Sequence, residues 1–219
     1  MSSNPRAALG AERGGRPRWL LFFTVLLLIA GGNLFFGSLF DLHRVLTGKP
    51  EVLHFDGSFN EQKETLLRAQ VVLGNVLAQT KPVLYSLHAV MELALALIYL
   101  FAVAAIFSND PRGRRVGLLA AWAGFVTCVG HAGFLLGVVQ RIQPWFVPML
   151  ATSYAQDATR AGRALPAPDV VAEQARLFLV DAPLLATAMG MVFSLLLLAY
   201  FAGRRMRLFY NQPRRVDDG

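Results

Sequence analysis

Residues 19–40 have the sequence WLLFFTVLLLIAGGNLFFGSLF, which contains no charged side chain. A helix needs about 20 consecutive apolar residues to cross a hydrocarbon core about 30 Å thick. The stretch follows a basic segment, as the apolar region of a signal peptide does, but it exceeds the usual length of about 7–15 residues and has no A-x-A cleavage site. It therefore predicts a retained membrane-spanning helix.

Hydrophobic residues make up 55% of the 219 residues, more than in an average soluble domain. Three further segments are similar to the first in length and apolar character. We predict that they are spans too, over 83–107, 116–139 and 183–203. A short loop at 108–115 and two long loops at 41–82 and 140–182 connect the four spans. The predicted fold class is all-α, a polytopic membrane four-helix bundle forming one domain over 19–203.

Arginines are unevenly distributed between the two ends of these predicted helices. The N-terminus 1–18 has four arginines and one glutamate, and the 108–115 loop has three arginines and one aspartate. The 204–219 tail has five arginines and two aspartates. In each long loop, acidic and basic residues are equal in number. Because a basic excess marks the cytoplasmic side, we predict a multi-pass protein of the inner (plasma) membrane, N-in and C-in, with both long loops outside.

The net charge of +7 comes from these arginine-rich segments. It therefore reflects the predicted orientation of the chain in the membrane. We predict no nucleic-acid binding, since no nucleic-acid-binding motif or interleaved aromatic pattern accompanies the arginines. The basic tail 204–219 is instead expected to contact anionic lipid headgroups. Cys128 is the single cysteine, which excludes an intramolecular disulfide.

Each long outer loop is predicted to contain a short interfacial helix. Ser58 begins a capping-box pattern, and apolar residues then recur at helical spacing up to the second span. In the other loop, Trp145 and Phe146 suit the aromatic belt at a membrane interface, and a second helix is expected from Asp169. Asp181 is predicted to be the N-cap of the fourth span.

Small residues follow one stripe of the third span and one of the fourth. They are Gly130, Gly133 and Gly137 in the third span, and Ala186, Gly190 and Ser194 in the fourth. Small side chains let helix backbones approach closely within a bilayer. We predict that the stripes pack the bundle together, and an interface between two copies of the chain is the alternative.

Four polar side chains fall at a similar depth in the outer half of the predicted bundle. They are Asn33 in the first span, His88 and Glu92 in the second, and His131 in the third. A charged side chain at that depth costs at least about 2.5–3.5 kcal/mol, so such groups face the bundle interior and pair. The cluster is therefore a hypothesis for a functional site.

Three interpretations of the polar cluster are open. The pattern favours a non-catalytic subunit or scaffold of a membrane assembly, in which the cluster organises the bundle by interhelical hydrogen bonds. In the second interpretation, His88 and His131 are the axial ligands of haem b in a cytochrome subunit. In the third, His88, Glu92 and His131 bind a metal ion or a quinone. Catalysis is not expected, because the H-E-x-x-H signature of zinc hydrolases is absent.

Overall fold

The computed structural model describes residues 18–49, 61–162 and 164–210. Within these ranges the secondary structure is helical: α1 Arg18–Thr47, α2 Glu61–Thr80, α3 Pro82–Phe107, α4 Gly113–Ala161, α5 Pro168–Arg176, α6 Ala182–Ala202 and α7 Arg204–Tyr210. Four helical segments are long and apolar enough to cross a membrane: Trp19–Thr47, Pro82–Phe107, Gly113–Val139 and Pro168–Ala202. The all-α class and the four apolar helices are thus confirmed, which suggests an integral membrane protein. The capping-box pattern at Ser58 lies outside the described residues.

Helix α4 continues far beyond the predicted end of the third span at 139. It has 49 residues, which is about 73 Å at 1.5 Å per residue. Pro144 and Pro148 lie inside it, although an interior proline costs about 3 kcal/mol by removing a backbone hydrogen bond. Phe146, between the two prolines, and Leu150, after the second, are fully buried. Their packing keeps the chain helical. Much of the predicted 140–182 loop is therefore helix.

Phe146 and Asp181 have roles that differ from the predicted ones. Phe146 is fully buried, whereas the neighbouring Trp145 is 60% exposed, so the two rings do not form one aromatic belt. Asp181 has helical φ and ψ and makes no side-chain capping bond. The reason is a π-helical turn, Leu177–Asp181, in which the Ala182 N–H donates to the Leu177 carbonyl. The turn joins α5 to α6 without a break, so no helix begins at Asp181.

The helices pack α1 on α3, α3 on α4 and α4 on α6, around two hydrophobic clusters. The bundle cluster joins α1, α3, α4, α6 and α7 through Leu20, Leu27, Leu95, Tyr99, Ala102, Val103, Ile106, Ala120, Ala121, Leu197, Phe201 and Met206. The cap cluster joins α2, the first turn of α3, the second half of α4, α5 and the π-helical turn through Ala69, Val72, Val76, Leu77, Tyr85, Val138, Ile142, Phe146, Leu150, Val171, Ala175, Phe178 and Leu179. Along α3, His88 and Glu92 lie between these two clusters.

Close contacts between helices occur beside the bundle cluster at Gly124 and Gly190. A Cβ added to Gly124 would collide with the Tyr99 hydroxyl and lie 2.8 Å from Ser194 Oγ. A Cβ added to Gly190 would lie 2.7 Å from Cys128 Sγ. Of the two predicted stripes, Gly190 and Ser194 therefore lie at the contact between α4 and α6.

The rest of the two stripes faces away from these contacts. Gly133 and Gly137 have no atom within 4 Å of an added Cβ, and Gly130 has Met91 Cε at 3.6 Å. Ala186 is exposed. The rotation of α4 that directs Gly124 inward turns Gly133 and Gly137 outward, so within this chain close packing depends on Gly124 instead.

Candidate metal centre

Helix α3 presents three polar side chains on one face. Tyr85, His88 and Glu92 are spaced i, i+3 and i+7, which brings them to the same side of a helix. His88 Nε2 lies 3.2 Å from Glu92 Oε1, and the two side chains are 14% and 21% exposed. The predicted His–Glu pair is thus formed within one helix and is largely withdrawn from the surface.

Helix α4 contributes His131, one turn before Phe134. The rings of His88 and His131 have centroids 4.7 Å apart and planes inclined by 39°. The Phe134 ring stacks on His88 with a centroid distance of 5.2 Å and an angle of 6°. These two contacts from neighbouring turns of α4 hold the His88 imidazole in place.

Ligand atoms from His88, Glu92 and His131 all lie within 4.8 Å of one another. Zinc bonds of about 2.0–2.1 Å in tetrahedral geometry separate neighbouring ligand atoms by about 3.3 Å. The distance of 3.2 Å between His88 and Glu92 already fits this value. A side-chain movement of about 1.5 Å brings the remaining atoms to the same spacing, so the three residues can hold one metal ion.

Three other polar residues of the described helices, Asn33, His43 and Cys128, are not part of this group. Asn33 is exposed on α1, because the side of α1 that packs on α3 carries Gly31. His43 is also exposed. Cys128 is half-buried and packs against Gly190 on α6. Among the described residues, the predicted cluster of four is therefore a group of three.

A second polar group, formed by Asp41, Arg44 and Tyr85, was not predicted. The Tyr85 hydroxyl donates to Asp41 Oδ1 at 2.5 Å. Arg44 Nη1 donates to the same oxygen at 3.1 Å and to the Tyr85 hydroxyl at 2.7 Å. The Arg44 side chain is only 8% exposed. This Asp41 network joins the end of α1 to the first turn of α3.

The network was missed because the first span was predicted to end at 40, which assigned Asp41 and Arg44 to an aqueous loop. Helix α1 instead continues to Thr47, and α2 packs back over its end. A Cβ added to Gly74 of α2 would collide with Arg44 Nη1 and lie 2.9 Å from the Tyr85 hydroxyl. The sequence contained one sign of this contact, Gly74, because a glycine within an apolar helical stretch often marks the close approach of another segment.

The two polar groups interact with each other. Tyr85 is one turn before His88 on the same face of α3, and the Asp41 carboxylate is near enough to Glu92 for the two negative charges to repel each other. Together they form a continuous polar zone between the cap cluster and the bundle cluster.

Comparison of the chain with protein-family models, curated proteins and solved structures found no match. A fold does not specify an activity, so function has to be inferred from the chemistry of the site.

Proposed function

We propose that this chain is an integral membrane protein that binds a divalent transition-metal ion through His88, Glu92 and His131. The observation that supports this function is the convergence of three ligand atoms within 4.8 Å from two packed helices. Two imidazole nitrogens and one carboxylate form a donor set suited to zinc and to the other imidazole-binding transition metals. Three protein ligands leave a fourth position open for water or for ion exchange.

The arrangement favours a metal ion over the two other interpretations of the cluster. A haem ligated by His88 and His131 requires the two rings, whose centroids lie 4.7 Å apart, to separate and admit the macrocycle. A single metal ion requires only the smaller movement of about 1.5 Å described above. A polar cluster that organises the bundle depends on hydrogen bonds between helices. The His88–Glu92 pair belongs to α3 alone and therefore provides no such bond.

Metal content tests this proposal directly. The detergent-purified protein is stripped with a chelator, loaded with Zn²⁺, passed through a desalting column and analysed by elemental mass spectrometry. We expect one zinc ion per chain and an absorption spectrum without a haem band. Protein that retains no zinc after loading contradicts the metal site. A reduced α-band of haem b in the protein as purified supports the cytochrome interpretation instead.

We also propose that the arginine-rich end of the bundle is cytoplasmic, because basic excess marks that side. In a Cys128→Ala background, Thr47→Cys and Ser108→Cys place single thiols at opposite ends of the helices, and both native residues are exposed. A membrane-impermeant maleimide applied to intact cells is expected to label Thr47→Cys strongly. Ser108→Cys is expected to react only after permeabilisation. The reverse pattern contradicts the N-in, C-in topology.

The contact of the basic tail with anionic lipid headgroups stays a prediction. The structure describes α7 of that tail, where Arg204, Arg205 and Arg207 are exposed. Helix α7 directly follows the apolar helix α6, which supports a position of these arginines at the level of lipid phosphates. Assembly with other membrane subunits likewise stays a prediction.

A further inference from the structure

The His88 imidazole needs a fixed orientation to act as a metal ligand. Its Nε2 lies 3.2 Å from Glu92 Oε1, so this nitrogen faces the ligand group. The other ring nitrogen of a metal-binding histidine is normally fixed by a hydrogen bond to a carboxylate, a backbone carbonyl or water. Within the described ranges, Nδ1 of His88 donates no hydrogen bond to a protein group. A contact of another kind therefore has to orient the ring.

The Phe134 ring supplies this contact. It stacks on the His88 imidazole with planes 6° apart and centroids 5.2 Å apart, which is the offset-stacked arrangement that aromatic pairs prefer. A parallel stack restricts rotation of the imidazole about χ2, a torsion that is otherwise broad. Because the stack uses the face of the imidazole, the nitrogens at its edge stay free to bind a metal ion.

Phe134 is itself held in place by the outer part of the protein. Its partly buried side chain packs against the cap cluster. It also lies one turn after His131 on α4, so the helix that carries one ligand supports the second ligand, on α3. Stacked rings can slide parallel to each other, so the contact is compatible with the movement of about 1.5 Å that closes the ligand atoms around an ion.

We propose that Phe134 is a positioning residue of the metal centre, whose ring stacks on His88 and keeps its Nε2 directed at the bound ion. This inference rests on the metal-binding function proposed above. The stack takes the part that a hydrogen bond plays for most histidine ligands. It also links the metal centre to the cap cluster, which supports the Phe134 ring.

The substitution Phe134→Leu removes the flat ring and keeps an apolar side chain. We expect the Zn²⁺ dissociation constant to rise roughly tenfold, the lower end of the range that follows loss of a group orienting a ligand. Phe101→Leu is the matched control, since it makes the same change on α3 at a side chain that is 64% exposed. Its Zn²⁺ affinity should equal that of the wild type. The constants are measured on the detergent-purified full chain by competition with chromophoric chelators.

A double variant separates the orientation of His88 from a general loosening of the helices. His88→Ala is expected to weaken Zn²⁺ binding strongly and to leave weak binding by Glu92 and His131. If Phe134 acts through His88, adding Phe134→Leu to His88→Ala weakens binding no further. If Phe134 only supports the packing of α4, the added substitution weakens the remaining ligands about tenfold as well, because His131 is one turn away.

The metal centre and the role of Phe134 can fail separately. A wild-type protein that binds no Zn²⁺ overturns both, and so does a His88→Ala protein that binds as tightly as the wild type. If the wild type binds and Phe134→Leu binds equally well, the metal centre stands and the role of Phe134 is wrong. An equal loss in Phe101→Leu, or a further loss in the double variant, also overturns the positioning role and leaves the metal centre in place.

Discussion

Replacing Glu92 with Gln is expected to abolish the stabilisation of this protein by zinc. At free Zn²⁺ about 100 times the dissociation constant, binding adds about 2.7 kcal/mol to the free energy of unfolding of the wild type. For a chain of this size, that corresponds to a rise of about 5–10 °C in the midpoint of thermal unfolding. Gln preserves the size of the side chain and can keep a polar contact with His88, but its neutral amide is a poor zinc ligand.

The Glu92→Gln experiment distinguishes a metal centre from a purely structural polar cluster. Without metal, the variant is expected to unfold within a few degrees of the wild type, because Gln keeps the size of the side chain and its polar contact with His88. His131→Leu is expected to lose the zinc response as well. His43→Ala is the matched control, since His43 is exposed on α1, and it should retain the full response. A Glu92→Gln protein that zinc stabilises as strongly as the wild type would show that Glu92 is not a ligand.

The substitution Gly74→Leu is expected to destabilise the packing of α2 over the Asp41 network. A single added Cβ already collides with Arg44 Nη1 and lies 2.9 Å from the Tyr85 hydroxyl, and Leu adds three further carbons. Overpacking usually costs about 1–3 kcal/mol. Displacing Arg44 from Asp41 also leaves a buried charge without its partner, which costs about 3–5 kcal/mol. We therefore expect the midpoint of thermal unfolding to fall by about 10 °C or more.

Gly133→Leu makes the same chemical change where the structure has room for it. No atom lies within 4 Å of a Cβ added to Gly133, so the midpoint of this variant in detergent should stay within about 2 °C of the wild type. Limited proteolysis gives a second measurement, since release of α2 should make Gly74→Leu more rapidly cleaved between α2 and α3. Equal stability of the two variants would show that α2 does not pack on Arg44 as described.

The four apolar helices and the His88–Glu92 pair were predictable from the sequence. Hydropathy is a property of consecutive residues, so a stretch such as 19–40 needs no neighbour to identify it as a span. Residues four apart share a helix face wherever the helix lies, which makes the pair in α3 predictable too. His131 was also placed correctly with them, because the predicted topology set its depth.

The Asp41 network and the position of Asn33 could not be predicted in this way. Asp41 and Arg44 are charged and follow an apolar run, so hydropathy assigns them to water. Arg44 is buried and Asp41 is half-buried, because α2 folds back over the end of α1 and places Gly74 on the guanidinium. Asn33 is exposed on α1, because the position of a residue along a helix does not specify the rotation of the helix about its axis.

The sequence by itself determined which segments are apolar helices and which ionisable residues lie within them, because both follow from the order of residues along the chain. The tertiary structure alone decided that α4 continues through Pro144 and Pro148, and which side chains meet between the cap cluster and the bundle cluster. Those features depend on how each helix is rotated and extended against its neighbours. That choice is made by close packing between segments far apart in the sequence.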